Sequence, residues 1–300
     1  MIRLLSARVA LAVAVGTCSV AVNAAPVKQT PAVTLFAATK AKALRGDADA
    51  QMRLGLMYEQ GEGVARDYGA AVSWYRRAAE QGQAIAQMSL GLMYDQGQGV
   101  AQDHTAAFNW FQKAAEQDVP FAQLNLAGMY YQGQGVVQDY SAAARWYRRL
   151  AEQGNADAQN NLGLMYDKGQ GVAQDYAAAL SWYSKAAEQG LSVSLSRLGS
   201  MYYQGQGVAQ DYAAAFNWLQ KAAEQGNANA QNNLGVMYAK GQGVAQDYVQ
   251  AHKWYNLAGA YAKDAETRDN AAKNRDIVAA TMSTAQVAEA QRLASAWRKK

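Results

Sequence analysis

Cysteine is almost absent from this sequence of 300 residues, because its one cysteine, Cys18, lies within the first 24 residues. If that segment is removed, the remaining chain can form no disulfide bond and has no thiol for catalysis or metal binding. The folded protein must then be stabilised by the packing of apolar surface. A small scaffold held together by disulfide bonds is therefore excluded.

Proline and histidine are also scarce, with three prolines and two histidines in the whole chain. Few prolines and a hydrophobic content of 50% favour long helical stretches. His104 and His252 lie four repeats apart, and neither has a His, Cys or carboxylate neighbour at the spacing of metal ligands. No serine lies in the motif of a nucleophile elbow. We therefore predict no catalytic residue, no cofactor and no metal site.

The first 24 residues have the pattern of a secretory signal. Arg3 and Arg8 precede an apolar stretch, and Val22-Asn23-Ala24 fits a cleavage site for small residues. The stretch is shorter than the roughly 20 residues that span a bilayer. We expect a signal peptide over 1–24 that is cleaved after Ala24, no stable membrane insertion afterwards, and a periplasmic or secreted protein.

The charge of the chain is nearly balanced. The formal charge of +4 falls to +2 without the signal, because 26 basic residues then face 24 acidic ones. These charges are spread along the chain, whereas proteins that bind nucleic acid concentrate basic residues on one surface. We expect no nucleic acid partner.

A repeat of 36 residues is the dominant feature of the sequence. Shifting the chain by 36 residues aligns six tryptophans, six tyrosines, six glycine pairs and six aspartates. The tryptophans are Trp74, Trp110, Trp146, Trp182, Trp218 and Trp254. We predict six repeats over 46–261, preceded by a flexible leader over 25–33 and a capping helix over 34–45, and followed by capping helices over 262–300.

Each repeat is predicted to form a helix A, a connector and a helix B. In the first repeat, helix A covers about 48–60 and helix B about 68–81. Gly61 can end helix A in a left-handed conformation, and Asp67 can cap helix B. Such repeats bury their apolar faces by stacking. The expected fold is all-α, a right-handed α-solenoid of tandem helix-turn-helix repeats similar to tetratricopeptide repeats. In the predicted C-terminal segment 262–300, Ser283 and Gln286 fit a capping box at the start of the second capping helix.

The repeat resembles the Sel1-like repeat (SLR) family. The fourth repeat carries the resemblance through Ala158-Gln159, Leu162-Gly163, Tyr166, Gly169-Gln170-Gly171-Val172, Asp175, Ala179, Trp182-Tyr183, Ala186-Ala187 and Gly190. The resemblance implies an adaptor, an assembly factor or a secreted recognition protein. A secreted subgroup with paired cysteines has been associated with β-lactam binding or hydrolysis, and a chain without cysteines matches that subgroup poorly.

Helix A has two arcs when its residues are projected at 100° per residue. In the fourth repeat, the arc of recurring residues should be packed and holds Ala158, Gln159, Leu162, Gly163, Met165 and Tyr166. The arc of varying residues holds Asp157, Asn160, Asn161, Leu164, Asp167 and Lys168. In helix B, the recurring Ala71, Trp74 and Ala78 should likewise pack between neighbouring repeats. In the third and fifth repeats this variable arc carries apolar side chains where the fourth carries the polar residues Asp157, Asn160 and Asp167. Ordinary packing between repeats explains this difference as well as a binding groove does. The candidate groove residues are Phe121, Leu124, Tyr131, Val193, Tyr203, Asp157 and Asp167.

The function that we expect is a non-enzymatic scaffold that binds a protein or peptide through this variable arc. The alternative is a role with carbohydrate, either in the assembly of exported polysaccharide or in binding to the cell wall. A hydrolase of β-lactamase type is a distant third. The partner and the oligomeric state are left open.

Overall fold

The computed structural model describes residues 31–299, and all its regular elements are α-helices within that range. The predicted signal peptide lies outside the described residues. The helices are α1 (Pro31–Leu44), α2 (Ala48–Gln60), α3 (Tyr68–Glu80), α4 (Ala84–Gln96), α5 (His104–Glu116), α6 (Pro120–Gln132), α7 (Tyr140–Glu152), α8 (Ala156–Lys168), α9 (Tyr176–Glu188), α10 (Ser192–Gln204), α11 (Tyr212–Glu224), α12 (Ala228–Lys240), α13 (Tyr248–Tyr261), α14 (Ala265–Ala279) and α15 (Thr284–Ala296).

The chain forms two compact units, one ending at Trp146 and the other beginning at Tyr147. We call them unit one and unit two and describe each by itself. In both units, helix A and helix B of a repeat pack against each other, as α2 does with α3 and α8 with α9. None of the helices among residues 31–299 is long and apolar enough to cross a membrane.

The helix before the first repeat begins earlier than expected. It starts at Pro31 rather than at residue 34, so part of the segment assigned to a flexible leader is helical. Proline suits a first helical turn, because that turn leaves its N–H groups without intrahelical partners. A Cβ at Gly63 would collide with the carbonyl of Ala32, and a Cβ at Gly99 would collide in the same way with Tyr68 of α3. The helix α1 therefore takes the place of a helix B.

Helix B begins at the aspartate of each repeat. The Asp175 Oδ1 accepts a hydrogen bond of 2.9 Å from the backbone N–H of Ala178, and the other five aspartates make the equivalent bond at 2.8–3.0 Å. Each bond satisfies one of the N–H groups that a helix start leaves unpaired. Helix A lacks such a uniform cap, since Val119 and Leu191 stand at its N-cap position in the third and fifth repeats and make no side-chain bond.

Helix A ends at a left-handed glycine. Gly169 has φ of 65° and donates its N–H to the Met165 carbonyl, a conformation that an L-residue adopts only with strain. At the end of helix B, where the second repeat has Asp118 in place of glycine, the aspartate takes φ of 61°. The predicted role of Gly61 and its equivalents is confirmed.

In the first four repeats, the fully buried aromatic residue of helix B is the one that follows the tryptophan. The ring of Tyr183 is fully buried, and a Cβ at Gly163 would lie 2.8 Å from its Cδ1 atom. Phe111 packs on Gly91 in the same way in unit one. Trp182 is only half-buried, and the Lys185 ammonium lies 4.0 Å from its ring centroid. The tryptophans do pack against the core, as Trp74 and Trp110 do, but most of them are only partly buried, and the residues that follow them fill the core.

The last two helices close the C-terminal end of unit two. Both α14 and α15 pack on α13, and α14 also contacts α12. Thr267 donates to Asn229 Oδ1 at 2.9 Å, and Asn274 donates to Asn232 Oδ1 at 3.1 Å. The capping box predicted at the start of α15 is present, since the side chain and backbone N–H of Ser283 both bond to Gln286.

Candidate functional site

The recurring arc of helix A is the packed one, as predicted. In α8 the recurring residues are buried except for Tyr166, which is half-buried, and most varying residues are half-buried or exposed. Leu164 is the exception, because it belongs to the varying set and is nevertheless buried. In α8, variation between repeats therefore marks accessible positions in all but this one place.

In unit one, the three candidate residues lie on α6. Phe121, Leu124 and Tyr131 are all half-buried. Phe121 packs against a core that includes Leu126, and the Tyr131 ring meets the Tyr140 ring edge-on at 5.1 Å. Part of each aromatic surface is therefore used within unit one, and the remainder is accessible.

In unit two, a cleft of 420 Å³ opens along the helices A of the last three repeats. It brings together two of the predicted residues, Asp167 of α8 and Val193 of α10, and the Val193 side chain is 43% exposed. Most of the remaining wall is polar and uncharged, with hydroxyl and amide groups. These residues are Ser196, Ser200, Gln204, Gln206, Asn227, Asn229 and Asn233.

Arg197 is the cationic group of this cleft. Its Nη1 lies 4.0 Å from Asp167 Oδ2, and its guanidinium lies 5.5 Å from the centroid of the Tyr183 ring. The Arg197 Nε is buried and has no hydrogen-bond partner among residues 31–299. The long ion pair is accessible, so that it contributes little to stability and is open to competition from a ligand carboxylate.

Tyr203 lies beside the cleft rather than in it. It borders a smaller cavity of 120 Å³ together with Asn233 and Val236. Its hydroxyl donates to Gln242 Oε1 at 2.6 Å, and its ring meets the Tyr212 ring edge-on at 5.2 Å. Packing between repeats thus accounts for much of its surface.

Asp157 is not brought to the cleft. It lies in the first turn of α8, and burial raises the pKa of its carboxyl group. Arg197, Ser200 and Asn233 line the cleft although the sequence did not single them out. The available signal was their variation between repeats, since the positions equivalent to Arg197 carry Asn125 in the third repeat and Asn161 in the fourth.

The two histidines lie in separate units. His104 Nδ1 is 3.0 Å from Asp95 Oδ1 in unit one, while His252 is buried in unit two with its Nδ1 3.0 Å from Asn256 Nδ2. Within residues 31–299, no three His, Cys, Asp or Glu side chains form a group suited to a metal ion.

Comparison with known proteins agrees with this architecture. A profile of the Sel1 repeat matches six consecutive segments, 48–83, 84–119, 120–155, 156–191, 192–227 and 228–260. No curated protein matches the chain.

Two solved structures share substantial sequence identity with the chain. One is c5321, a protective antigen present in uropathogenic Escherichia coli strains that displays an SLR fold, with 38% identity and a TM-score of 0.74 over 87% of this chain. This chain covers 56% of that protein's chain. The other is a Sel1 repeat protein from Oxalobacter formigenes, with 32% identity and a TM-score of 0.66 over 76% of this chain and 91% of the other.

These matches confirm the expected all-α fold of tandem helical repeats. Sel1 repeat proteins are generally scaffolds for protein interactions and are generally not enzymes. On the evidence of its six matched segments and these two relatives, the chain belongs to the Sel1 repeat family.

Proposed function

We propose that the chain is a scaffold of the cell envelope, or a secreted scaffold, and that it binds a protein partner through the cleft along α8, α10 and α12. The observation that carries this proposal is the composition of the cleft. Its walls hold Val193 and a series of hydroxyl and amide side chains at positions where the repeats differ. Repeats keep the residues that pack them, so specificity is encoded at the residues that vary.

The chemistry of the walls suits an extended polypeptide. Asn and Gln side chains both donate and accept hydrogen bonds, as the peptide groups of an extended segment do. Val193 offers an exposed apolar contact for a side chain, and Arg197 can exchange its 4.0 Å pairing with Asp167 for a carboxylate of the partner. A peptide with an apolar residue near an acidic one fits this arrangement.

The location follows from the first 24 residues, which have the charge pattern and the cleavage motif of a secretory signal. The similarity to c5321, which is described as a protective antigen, is consistent with a location outside the cytoplasm. Mass determination of the mature N-terminus would test this part, with cleavage after Ala24 as the expected result. A mature chain that retains residues 1–24 would contradict it.

Site-specific crosslinking tests the cleft. A photoreactive residue at position 193 should capture a partner from the native envelope, and the same residue at position 177 should not. Ala177 is the matched control because it is exposed on α9, a helix B in the same unit, and does not line the cleft. The substitution Asn233→Ala should reduce capture at 193, whereas Ala177→Ser should leave it unchanged. Equal capture from both positions would overturn the assignment of the cleft.

The tyrosines need a control of their own. Tyr203→Ala should weaken capture at 193 while the helical content stays the same, because Tyr203 lies beside the cleft. Tyr131→Ala tests the candidate residues of unit one separately. Tyr203→Phe removes only the hydroxyl that bonds to Gln242, so it separates contact with a partner from packing between repeats. If Tyr203→Phe and Tyr203→Ala reduce capture equally, the hydroxyl is responsible and the ring does not contact a partner.

A second candidate is binding to carbohydrate, either during assembly of exported polysaccharide or at the cell wall. Amide and hydroxyl side chains also match the hydroxyl groups of sugars, and this is the observation that favours it. Isothermal titration with glycans and with peptidoglycan fragments separates the two candidates. Binding that Asn233→Ala abolishes would support the carbohydrate role.

A further inference from the structure

A second cleft lies at a repeat that lacks a hydrogen bond shared by three other repeats. In the first, second and fourth repeats, the glutamine after helix B donates its side-chain N–H to a buried glutamine of helix A. The pairs are Gln81 to Gln51 at 2.7 Å, Gln117 to Gln87 at 2.8 Å and Gln189 to Gln159 at 2.9 Å. Each helix A glutamine also donates to the helix B end before it, as Gln159 does to the Ala151 carbonyl at 3.1 Å. Each glutamine pair thus links the end of helix B to helix A of the same repeat.

The fifth repeat has Leu195 at the position of this buried glutamine. Gln225 occupies the position of the donor glutamines Gln81, Gln117 and Gln189. A leucine side chain has no oxygen that could accept a hydrogen bond from it. A cleft of 630 Å³ lies at this place in unit two. Its floor is apolar and consists of Ala187, Leu195 and Trp218. This volume is within the range of small-ligand sites.

The rim of this cleft, which we call the Leu195 cleft, favours a cation. The last residues of α9 and α11 are Glu188 and Glu224, and both line the cleft. The carboxyl end of a helix carries the negative end of its dipole, which adds to the charge of these two carboxylates. Lys221 is a counter-charge on the wall, but its ammonium lies 4.7 Å from the Trp218 ring centroid.

A lysine of the chain itself lies in the Leu195 cleft. Lys299 follows α15 and is one of the lining residues. Its Cδ and Cε atoms would lie 3.4 and 3.7 Å from a Cβ at Gly226, so its aliphatic stem runs over that glycine. Two residues earlier, the Trp297 ring meets the Tyr261 ring edge-on at 5.2 Å. The aromatic contact therefore holds this basic segment in place, with Lys299 in the cleft that Glu188 and Glu224 also line.

We propose that the Leu195 cleft is a binding site for a basic segment of a partner polypeptide, which places a lysine or arginine against Glu188 and Glu224, and that Lys299 occupies the site in cis until such a segment displaces it. The site is separate from the helix A cleft along α8, α10 and α12. It would give the scaffold a second, charge-selective contact whose affinity the chain's own tail reduces.

A peptide titration on the full chain tests the proposal. The probe is a fluorescein-labelled peptide, Ser-Ala-Trp-Arg-Lys-Lys with both ends blocked, and the readout is fluorescence anisotropy. Lys299→Ala removes the competing lysine and should raise the affinity for the probe about tenfold over the unaltered chain. In the Lys299→Ala background, Glu224→Gln should lower the affinity about tenfold. The matched control is Glu116→Gln. Glu116 accepts a hydrogen bond from Gln112, as Glu224 does from Gln220, but it lies in a repeat that has the glutamine pair.

Leu195→Gln is the decisive variant. It restores the pattern of the other repeats, so Gln225 should bond to the new side chain and close the cleft without any change in the rim charges. Binding of the probe should be lost, while the circular dichroism spectrum and the urea midpoint stay at the values of the Lys299→Ala chain. The proposal is overturned if Leu195→Gln binds the probe as well as its parent, or if Lys299→Ala binds no more tightly than the unaltered chain. Crosslinking at position 193 does not depend on either outcome.

Discussion

The glycine of helix A that faces the ring of helix B offers a quantitative test of the packing. In Gly163→Ala, the new methyl group would lie 2.8 Å from both Cδ1 and Cε1 of Tyr183, and that ring is fully buried. Gly259 is the matched control, because it lies inside α13 and a Cβ there would meet no atom within 4 Å. Both substitutions gain the same helix propensity, so their difference isolates the steric term.

The expected magnitudes follow from two opposing effects. Replacing glycine by alanine inside a helix stabilises it by about 1 kcal/mol. Forcing a methyl group into a packed core costs about 1–3 kcal/mol. Gly259→Ala should therefore raise the free energy of unfolding by about 1 kcal/mol, and Gly163→Ala should lower it by about 0–2 kcal/mol.

Urea denaturation followed by circular dichroism measures the global effect, and hydrogen exchange of α8 and α9 measures the local one. In Gly163→Ala the amides of these two helices should exchange faster, because a repeat protein responds to a packing defect mainly in the affected repeat and its neighbours. The reasoning is refuted if both variants raise the urea midpoint equally, since the ring of Tyr183 would then have room for the methyl group.

Two further predictions concern a helix cap and a buried histidine. Asp175→Ala removes the 2.9 Å bond to the Ala178 N–H and should cost about 1 kcal/mol, seen as faster amide exchange at the start of α9, whereas Asp175→Asn should retain most of the stability. Burial, and then the charge of Arg275, lowers the pKa of His252 from its usual 6.5. Because the unfolded chain then binds the proton more tightly, the free energy of unfolding should be highest above pH 6.5 and should fall as the pH drops below it, and His252→Asn should flatten that part of the pH profile. A profile that is unchanged in His252→Asn would show that another group is responsible.

Most of the local structure was predictable because it depends on single residues at fixed places in the repeat. Asp67 caps helix B and Gly61 ends helix A through bonds to backbone groups a few residues away. Such local bonds are set by residue type and conformation. The repeat length followed for the same reason, since each repeat supplies the same capping and turn residues.

The depth of the aromatic residues was not predictable in this way. Trp182 recurs in all six repeats, whereas the position of Tyr183 holds Phe111 and Leu219 in two of them, so recurrence alone does not tell which residue faces helix A. The structure buries the tyrosine against Gly163 and leaves the tryptophan at the surface under Lys185. Which of the two residues is buried depends on the packing between helices, and the residue pattern along one helix does not contain that information.

The candidate site was predictable only in part for a related reason. Asp167 and Val193 were identified because they vary, and they do share a cleft. Asp157 also varies, but it lies in the first turn of α8, away from the residues that line the cleft. Which varying residues meet depends on the side-by-side placement of α8, α10 and α12, and projection of a single helix cannot give that placement.

The glycine contact between successive repeats bears on how the number of repeats can change by recombination. Gly99 meets the first residue of α3, Tyr68, and Gly135 meets the first residue of α5, His104, through the same backbone approach. An in-frame loss of 84–119 would therefore bring Gly135 against Tyr68 with every cap and turn in register. Unequal crossing-over between the gene segments that encode these repeats can thus lengthen or shorten the array in whole repeats, and each step creates or removes binding surface without requiring a new kind of junction.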